Sequence, residues 1–142
     1  MPSERDLVTS VIQLANLFTR RLGPVFEKSK ITPQQWSVLA AMAAEETPAT
    51  LVGLSRRLGV TKQNMTGMIA RLEQLGLAER NDDPQDLRSS RVQLTRRGRG
   101  VVEKVRPAYE SWIASVGDGA LSERELQALT RSVERLIDSL NG

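Results

Sequence analysis

The sequence predicts a mainly α-helical domain that carries one small β-hairpin. Three observations support this fold class: apolar residues recur at spacings of three and four, helix-capping sequences interrupt them, and only two short segments alternate between apolar and polar residues. The chain has 142 residues, of which 39% are hydrophobic, so it can bury the core of one domain. We therefore expect a single domain over residues 1–142.

The first helix is expected over about residues 5–22, where apolar residues cover an arc too broad for packing on one neighbour. Gly23 and Pro24 are expected to end this helix, because proline lacks the N–H that the next helical hydrogen bond needs. Thr32 and Gln35 then form a capping box that starts a second helix.

The third and fourth helices are expected to be joined very closely. Thr50 is a suitable cap for the third helix, Gly59 a suitable stop, and Thr61 a suitable cap for the fourth helix. A connection this short is typical of a helix-turn-helix.

A β-hairpin is predicted after Gly76, which is expected to end the fourth helix. Residues 77–80 and 91–94 alternate between apolar and polar side chains around a polar loop at residues 81–90. Such a hairpin next to a helix-turn-helix is typical of a wing.

Two long helices are expected to complete the chain. Thr95 can cap a helix over about residues 96–116, in which Pro107 removes one backbone hydrogen bond and is expected to cause a kink. Gly117 and Gly119 then interrupt the chain, and a capping box at residues 122–125 starts the last helix. Its apolar residues follow a coiled-coil-like spacing: Leu126, Leu129, Val133, Leu136 and Leu140.

The first and last helices carry more apolar surface than one small core can cover. Pairing with a second copy of the chain would bury this surface and place the two copies of the fourth helix about 34 Å apart. The alternative is that both helices pack on the core of their own subunit.

The fourth helix carries the most informative pattern in the sequence. One face is apolar, whereas the opposite face presents Gln63, Gly67, Ala70 and Gln74. A solvated helix face usually carries long charged side chains, but small residues allow close approach to a DNA major groove. The pattern therefore favours a recognition helix over an ordinary amphipathic surface helix.

Charge and composition narrow the functional classes. The net charge is only +3, but residues 55–100 contain ten Lys or Arg and five Asp or Glu, which suits a central lobe that faces DNA. The chain has no Cys and no His, and we find no phosphate-binding loop and no metal-ligand spacing, so we expect no enzyme activity, no metal and no cofactor. Without a signal peptide or a membrane span, the protein is expected in the cytoplasm.

The segment at residues 83–98 closely resembles the wing signature of MarR-type regulators, D-x-R followed by V-x-L-T-x-x-G. The residues Leu75-Gly76-Leu77, before the wing, and Thr32-Pro33-x-Gln35-Trp36, on the second helix, extend the resemblance over about residues 5–140.

The resemblance implies a winged helix-turn-helix with N- and C-terminal dimerisation helices. It places the DNA-binding lobe at about residues 30–100 and the dimerisation helices at about residues 5–22 and 101–140. It also implies a homodimer that binds a pseudo-palindromic operator in double-stranded DNA and usually represses transcription.

The resemblance assigns the wing pair to Asp86 and Arg88, in which the carboxylate holds a guanidinium that enters the minor groove. An isolated Asp-x-Arg in a loop would more simply be a solvated ion pair. On the recognition helix, amides can contact base edges, and a lysine or free backbone N–H groups can hold phosphate. The candidates there are Thr61, Lys62, Gln63, Asn64, Thr66 and Arg71. Thr61 has the simpler alternative role of a helix cap. Lower-ranked phosphate contacts are Arg56, Arg57, Arg96, Arg97 and Arg99.

The resemblance also implies a small-molecule effector, since many relatives bind aromatic anions between the dimer helices and the DNA-binding lobe. Trp36 is the candidate for the wall of such a cleft, and Arg20 or Arg21 for its anion contact. The apolar spacing of Trp36 to Leu39 favours a plain core position instead. The alternative function is an architectural or RNA-binding winged helix without ligand regulation.

Overall fold

The computed structural model describes residues 1–83 and 86–141, with residues 83 and 86–89 described by their backbone alone. Six helices and a three-stranded antiparallel sheet form the described part of the chain, and this confirms the predicted fold class. Among the described residues, no helix has both the length and the apolar character needed to cross a bilayer. In chain order the elements are α1 Glu4–Glu27, α2 Pro33–Ala43, β1 Ala49–Thr50, α3 Leu51–Leu58, α4 Lys62–Gln74, β2 Ala78–Asp83, β3 Asp86–Leu94, α5 Arg96–Ser115 and α6 Glu123–Asn141.

The predicted helix caps are confirmed. Each capping hydroxyl accepts a hydrogen bond from the backbone N–H three residues further on, at 2.9–3.1 Å. These side chains hold the first turns of five helices: Thr32, Thr50, Thr61, Thr95 and Ser122. In the last of the capping boxes, the backbone N–H and the hydroxyl of Ser122 both lower the pKa of Glu125. Local side-chain chemistry therefore determines where these helices begin.

The end predicted for the first helix is wrong, because α1 continues through Gly23 and Pro24 to Glu27. Pro24 lies in the last turn, so its missing N–H removes only one hydrogen bond near the helix end. The additional turn brings Phe26 into the core, where it is fully buried and its ring stacks on Trp36 at a centroid distance of 5.5 Å. Burial of this aromatic ring offsets the loss at the proline.

The wing, defined as β2 with β3, is longer than predicted. Both strands extend into the segment 81–90, which is expected from sequence to be a loop. Apart from Pro84 and Leu87 its residues are polar, so no alternation of apolar and polar side chains marks the strands in the sequence. Cross-strand bonds stabilise the hairpin, as between the Gln93 amide and the Glu79 carboxylate at 2.6 Å.

The two-residue strand β1 lies on the other edge of β3, with Ala49 paired to Val92. The sheet order β1-β3-β2 places the wing beside the helix-turn-helix. The core lies between the sheet and helices α2 to α5, and its fully buried side chains include Val38, Leu39, Leu54, Met65, Ile69, Leu72, Val92 and Val102.

Candidate nucleic-acid interface

The turn between α3 and α4 orients the candidate recognition helix. Gly59 ends α3 in the left-handed region at φ 69°, and the Val60 N–H donates back to the Ser55 carbonyl oxygen at 3.0 Å. This closed turn leads directly to the cap of α4. Three fully buried side chains pack α4 against the core: Met65, Ile69 and Leu72.

The opposite face of α4 is exposed and carries the small residues Gly67 and Ala70. The predicted division of this helix into two faces is confirmed. Gln63, Ala70 and Gln74 are exposed on this face. At Gly67, no heavy atom of another part of the chain lies within 4 Å of the position that a Cβ would take. A rigid partner can therefore approach the α4 backbone closely at Gly67.

The polar candidates at the start of α4 differ in how free their side chains are. The Thr61 hydroxyl oxygen accepts the Asn64 N–H at 3.0 Å, and the Thr66 hydroxyl donates to the Lys62 carbonyl oxygen at 2.9 Å. The side chains of Lys62, Gln63 and Asn64 are exposed. Both threonines therefore stabilise the helix itself, while the lysine and the two amides are presented to solvent.

The basic candidates on α3, α4 and α5 differ in whether their side chains bond to a neighbouring side chain. Arg71 is exposed and donates to the Gln74 side chain at 3.2 Å on the outer face of α4. Arg57 forms an exposed ion pair with Glu45 at 3.2 Å, so part of its charge is neutralised. The others are exposed on α3 and at the start of α5: Arg56, Arg96, Arg97 and Arg99.

The side chains of Asp86 and Arg88, the predicted wing pair, lie outside the described residues. The described part of the wing contains a network that the sequence analysis missed. The Arg80 guanidinium donates to the Asp82 carboxylate at 2.9 Å and to the buried Ser90 hydroxyl at 3.1 Å, and this hydroxyl donates to Asp82 at 2.7 Å. The Ser90 hydroxyl and then Arg80 lower the pKa of Asp82. Arg80 and Asp82 are two residues apart on β2, so their side chains lie on the same face of the strand. A sequence prediction that extended this strand to residue 82 would have indicated their contact.

Trp36 is a core residue, with only 3% of its surface exposed. Its ring forms a three-ring cluster with Phe26 and Tyr109, at centroid distances of 5.5 Å and 5.0 Å, and the Phe26 and Tyr109 centroids are 6.1 Å apart. Its indole Nε1 is buried and has no hydrogen-bond partner among the described residues. Trp36 also lines a cavity of about 190 Å³ together with Arg106, Tyr109 and Glu110.

The residues that line this cavity do not include Arg20 or Arg21, which are exposed on α1. Tyr109 and Arg106 were missed from sequence because some 70 residues separate them from Trp36, and no local pattern links them.

The terminal helices leave large apolar faces uncovered. Every residue of α6 is exposed or half-buried, and Leu126 and Val133 keep 53% and 40% of their surface exposed. On α1 the exposed apolar residues are Leu7, Val8, Val11, Ile12, Leu14, Leu17 and Phe18. Apolar residues clustered in this way on a helix indicate an interaction surface, whereas single scattered ones do not.

Comparison with known proteins gives consistent results for sequence and fold. A family model described as MarR family matches residues 29–89. The chain is 32% identical over 139 residues to the transcriptional activatory protein BadR of Rhodopseudomonas palustris (strain ATCC BAA-98 / CGA009), which covers 92% of this chain and 79% of the relative.

Two solved structures are similar over nearly the whole chain. Reduced AbfR bound to DNA superposes with a TM-score of 0.77 at 27% identity, covering 98% of this chain and 94% of that one. The Staphylococcus aureus MarR in complex with salicylate and kanamycin superposes with a TM-score of 0.76 at 21% identity, covering 96% and 91%. The second similarity concerns the fold alone.

Proposed function

The chain belongs to the MarR family of DNA-binding transcription regulators, which are not enzymes, and we propose that it is a homodimeric repressor that binds a pseudo-palindromic operator and is released by a small aromatic anion. The observation that carries the proposal is the two-faced helix α4. Met65, Ile69 and Leu72 of its apolar face are fully buried, and its outer face has space for a DNA backbone and bases at Gly67.

In the proposed complex, α4 lies in the major groove. Gln63 and Asn64 contact base edges, because amide side chains can donate and accept at the same time, as adenine requires. Lys62, Arg71 and the Thr61 hydroxyl contact phosphate, whereas Thr66 contributes mainly to the helix. On the wing, Asp86 orients Arg88 toward the narrow and electronegative minor groove.

The proposed dimer pairs the terminal helices, at about residues 5–22 and 101–140, around the lobe at about residues 30–100. Its support is the apolar surface of α1 and α6, which is exposed in a single chain. Water would be released from these faces on pairing, which is the main favourable contribution to association. Two copies of α4 about 34 Å apart would then contact successive turns of the same side of a duplex.

The proposed effector site is the cavity beside Trp36. Its volume of about 190 Å³ is suited to a single aromatic ring, and its lining includes the aromatic side chains of Trp36 and Tyr109. Arg106 lines the cavity and is the candidate to bind a carboxylate, in place of Arg20 and Arg21, which do not line it. The salicylate in the Staphylococcus aureus MarR structure is a compound of this class.

An effector of this kind releases DNA only if it binds the DNA-incompetent arrangement of the dimer more tightly than the competent one. A thermal-shift screen with phenolic and benzoic acids measures binding directly, since a ligand specific for the folded state raises the melting temperature. No response across such a panel would contradict the effector part of the proposal.

Selection of duplexes from a random pool, repeated at two salt concentrations, tests the DNA part of the proposal. We expect an inverted repeat with half-site centres about 10 base pairs apart, and affinity that falls steeply with salt because bound phosphates release counterions. A protein that binds every duplex equally, or prefers RNA, would be architectural or RNA-binding instead.

In vitro transcription from a promoter that contains the selected site then measures the direction of regulation. We expect repression, because a dimer over two half-sites covers about 20 base pairs of promoter DNA. BadR is named as an activator, so the assay should use a weak promoter and a strong promoter that can register either sign.

A further inference from the structure

One side chain connects the end of α4 to the start of α5. The Thr95 hydroxyl donates to the Gly76 carbonyl oxygen at 2.6 Å, and the Thr95 hydroxyl oxygen accepts the Gly98 N–H at 3.0 Å. The Thr95 backbone N–H also donates to the Leu77 carbonyl oxygen at 3.1 Å. We call Gly76, Leu77, Thr95 and Gly98 the α4–α5 joint.

The joint is most closely packed at Gly98. Gly98 is buried, and a Cβ there would overlap the Leu77 carbonyl oxygen. Gly100, two residues further along α5, has no neighbouring heavy atom within 4 Å of its Cβ position. The demand for glycine at position 98 therefore comes from the joint and not from α5 in general.

α5 leads from this joint toward the apolar terminal helices. Its 20 residues, which include Pro107, form one continuous helix about 30 Å long, and near its far end Trp112 packs edge-on against Phe18 of α1 at a centroid distance of 5.6 Å. A rotation of about 10° at one end of this helix moves the other end by about 5 Å, which exceeds the rise of about 3.4 Å per base pair.

We propose that Thr95 and Gly98 are positioning residues that fix α4 relative to α5 and thereby set the half-site spacing that the dimer accepts. This proposal rests on the proposed function, because it needs a dimer that binds two half-sites. Neither residue has to touch DNA: Thr95 is half-buried and Gly98 is buried. Their effect on DNA binding passes through the orientation of the two recognition helices.

The experiment compares two matched pairs of variants. Thr95→Val keeps the shape of the side chain but removes the hydroxyl, and Thr95→Ser restores the hydroxyl. Gly98→Ala adds a methyl group inside the joint, and Gly100→Ala adds the same group where the space is open. The DNA probes are the inverted repeat selected by the unmodified protein, the same repeat with one base pair added or removed between half-sites, and a duplex with one half-site.

We expect Thr95→Val and Gly98→Ala to lower the preference for the selected spacing about tenfold, and to change single half-site affinity by no more than about twofold. Thr95→Ser and Gly100→Ala should keep the original preference. Circular dichroism melting identifies any variant that does not fold, and the two Thr95 variants decide the question if Gly98→Ala is unfolded.

Two results would overturn the proposal: an unchanged spacing preference in folded Thr95→Val, or an equal loss of affinity on all duplexes, single half-sites included. If the unmodified protein selects no inverted repeat, the proposed function fails, and this outcome is distinct from failure of the joint.

Discussion

Replacement of Gly67 by alanine should make the protein more stable and a weaker DNA binder. Gly67 lies inside α4, where alanine is favoured over glycine by about 0.5–1 kcal/mol. No atom within 4 Å opposes the new methyl group, so this gain should be realised in full. For a chain of 142 residues, it corresponds to a rise in melting temperature of about 2–4 °C.

The same methyl group stands on the outer face of α4, where the proposed complex brings the helix closest to DNA. We expect the affinity for the selected operator to fall at least about tenfold, or about 1.4 kcal/mol, because the helix must withdraw from the groove. Differential scanning calorimetry and fluorescence anisotropy with a labelled duplex measure the two effects separately.

Gly100→Ala is the matched control for this experiment, because it adds a methyl group in open space on another helix. It should raise the melting temperature similarly and leave DNA affinity unchanged. If Gly67→Ala gains stability and binds the operator as tightly as before, the outer face of α4 is not the surface that approaches DNA most closely. A loss of stability would instead refute the reasoning from helix propensity and open space.

Three further predictions concern the dimer faces, the bases and the wing. Val133→Glu should shift sedimentation toward monomer and weaken operator binding, because a carboxylate at the interface would have to be desolvated on pairing. Ala128→Glu, on another face of α6, should change neither. A Val133→Glu protein that is still dimeric at nanomolar concentration would contradict the prediction. Gln63→Ala should weaken binding to the operator by about 1–3 kcal/mol and leave binding to random duplexes nearly unchanged. Competition titrations measure both affinities, and an equal loss on both kinds of duplex would argue against a contact between Gln63 and a base. Asp82 has a pKa below its ordinary value of 3.8, so it stabilises the folded state above about pH 4 and loses this effect as the pH falls further. The stability difference between the unmodified protein and Asp82→Asn in urea unfolding should therefore shrink from pH 7 to pH 3, and a constant difference would count against the network.

Helix starts were predictable from sequence because their chemistry is local. The hydroxyl of Thr61 and the N–H that it accepts are three residues apart, and the buried and exposed faces of α4 follow from its period alone. The end of α1 was mispredicted for the opposite reason. Phe26 remains helical beyond a proline because it packs on residues more distant in sequence, Trp36 and Tyr109.

The wing and the effector cavity show where sequence reasoning has no signal. The outer wing is mostly polar in sequence, so its strands depend on backbone pairing and on cross-strand bonds such as that between Arg80 and Ser90. β1 has only two residues and exists because β3 lies beside it. The cavity joins Trp36 on α2 to Tyr109 on α5, and this proximity follows from packing of the whole lobe.

The uncovered apolar faces of α1 and α6 have a consequence for the dose response of the proposed repressor. Where subunits are scarce and mostly unpaired, mass action makes the amount of dimer grow with the square of the subunit concentration. Operator occupancy would then rise more steeply than linearly with expression, so that halving synthesis would empty about three quarters of weakly occupied sites. Pairing through these helices would thus act as a threshold on gene control, in addition to any effector.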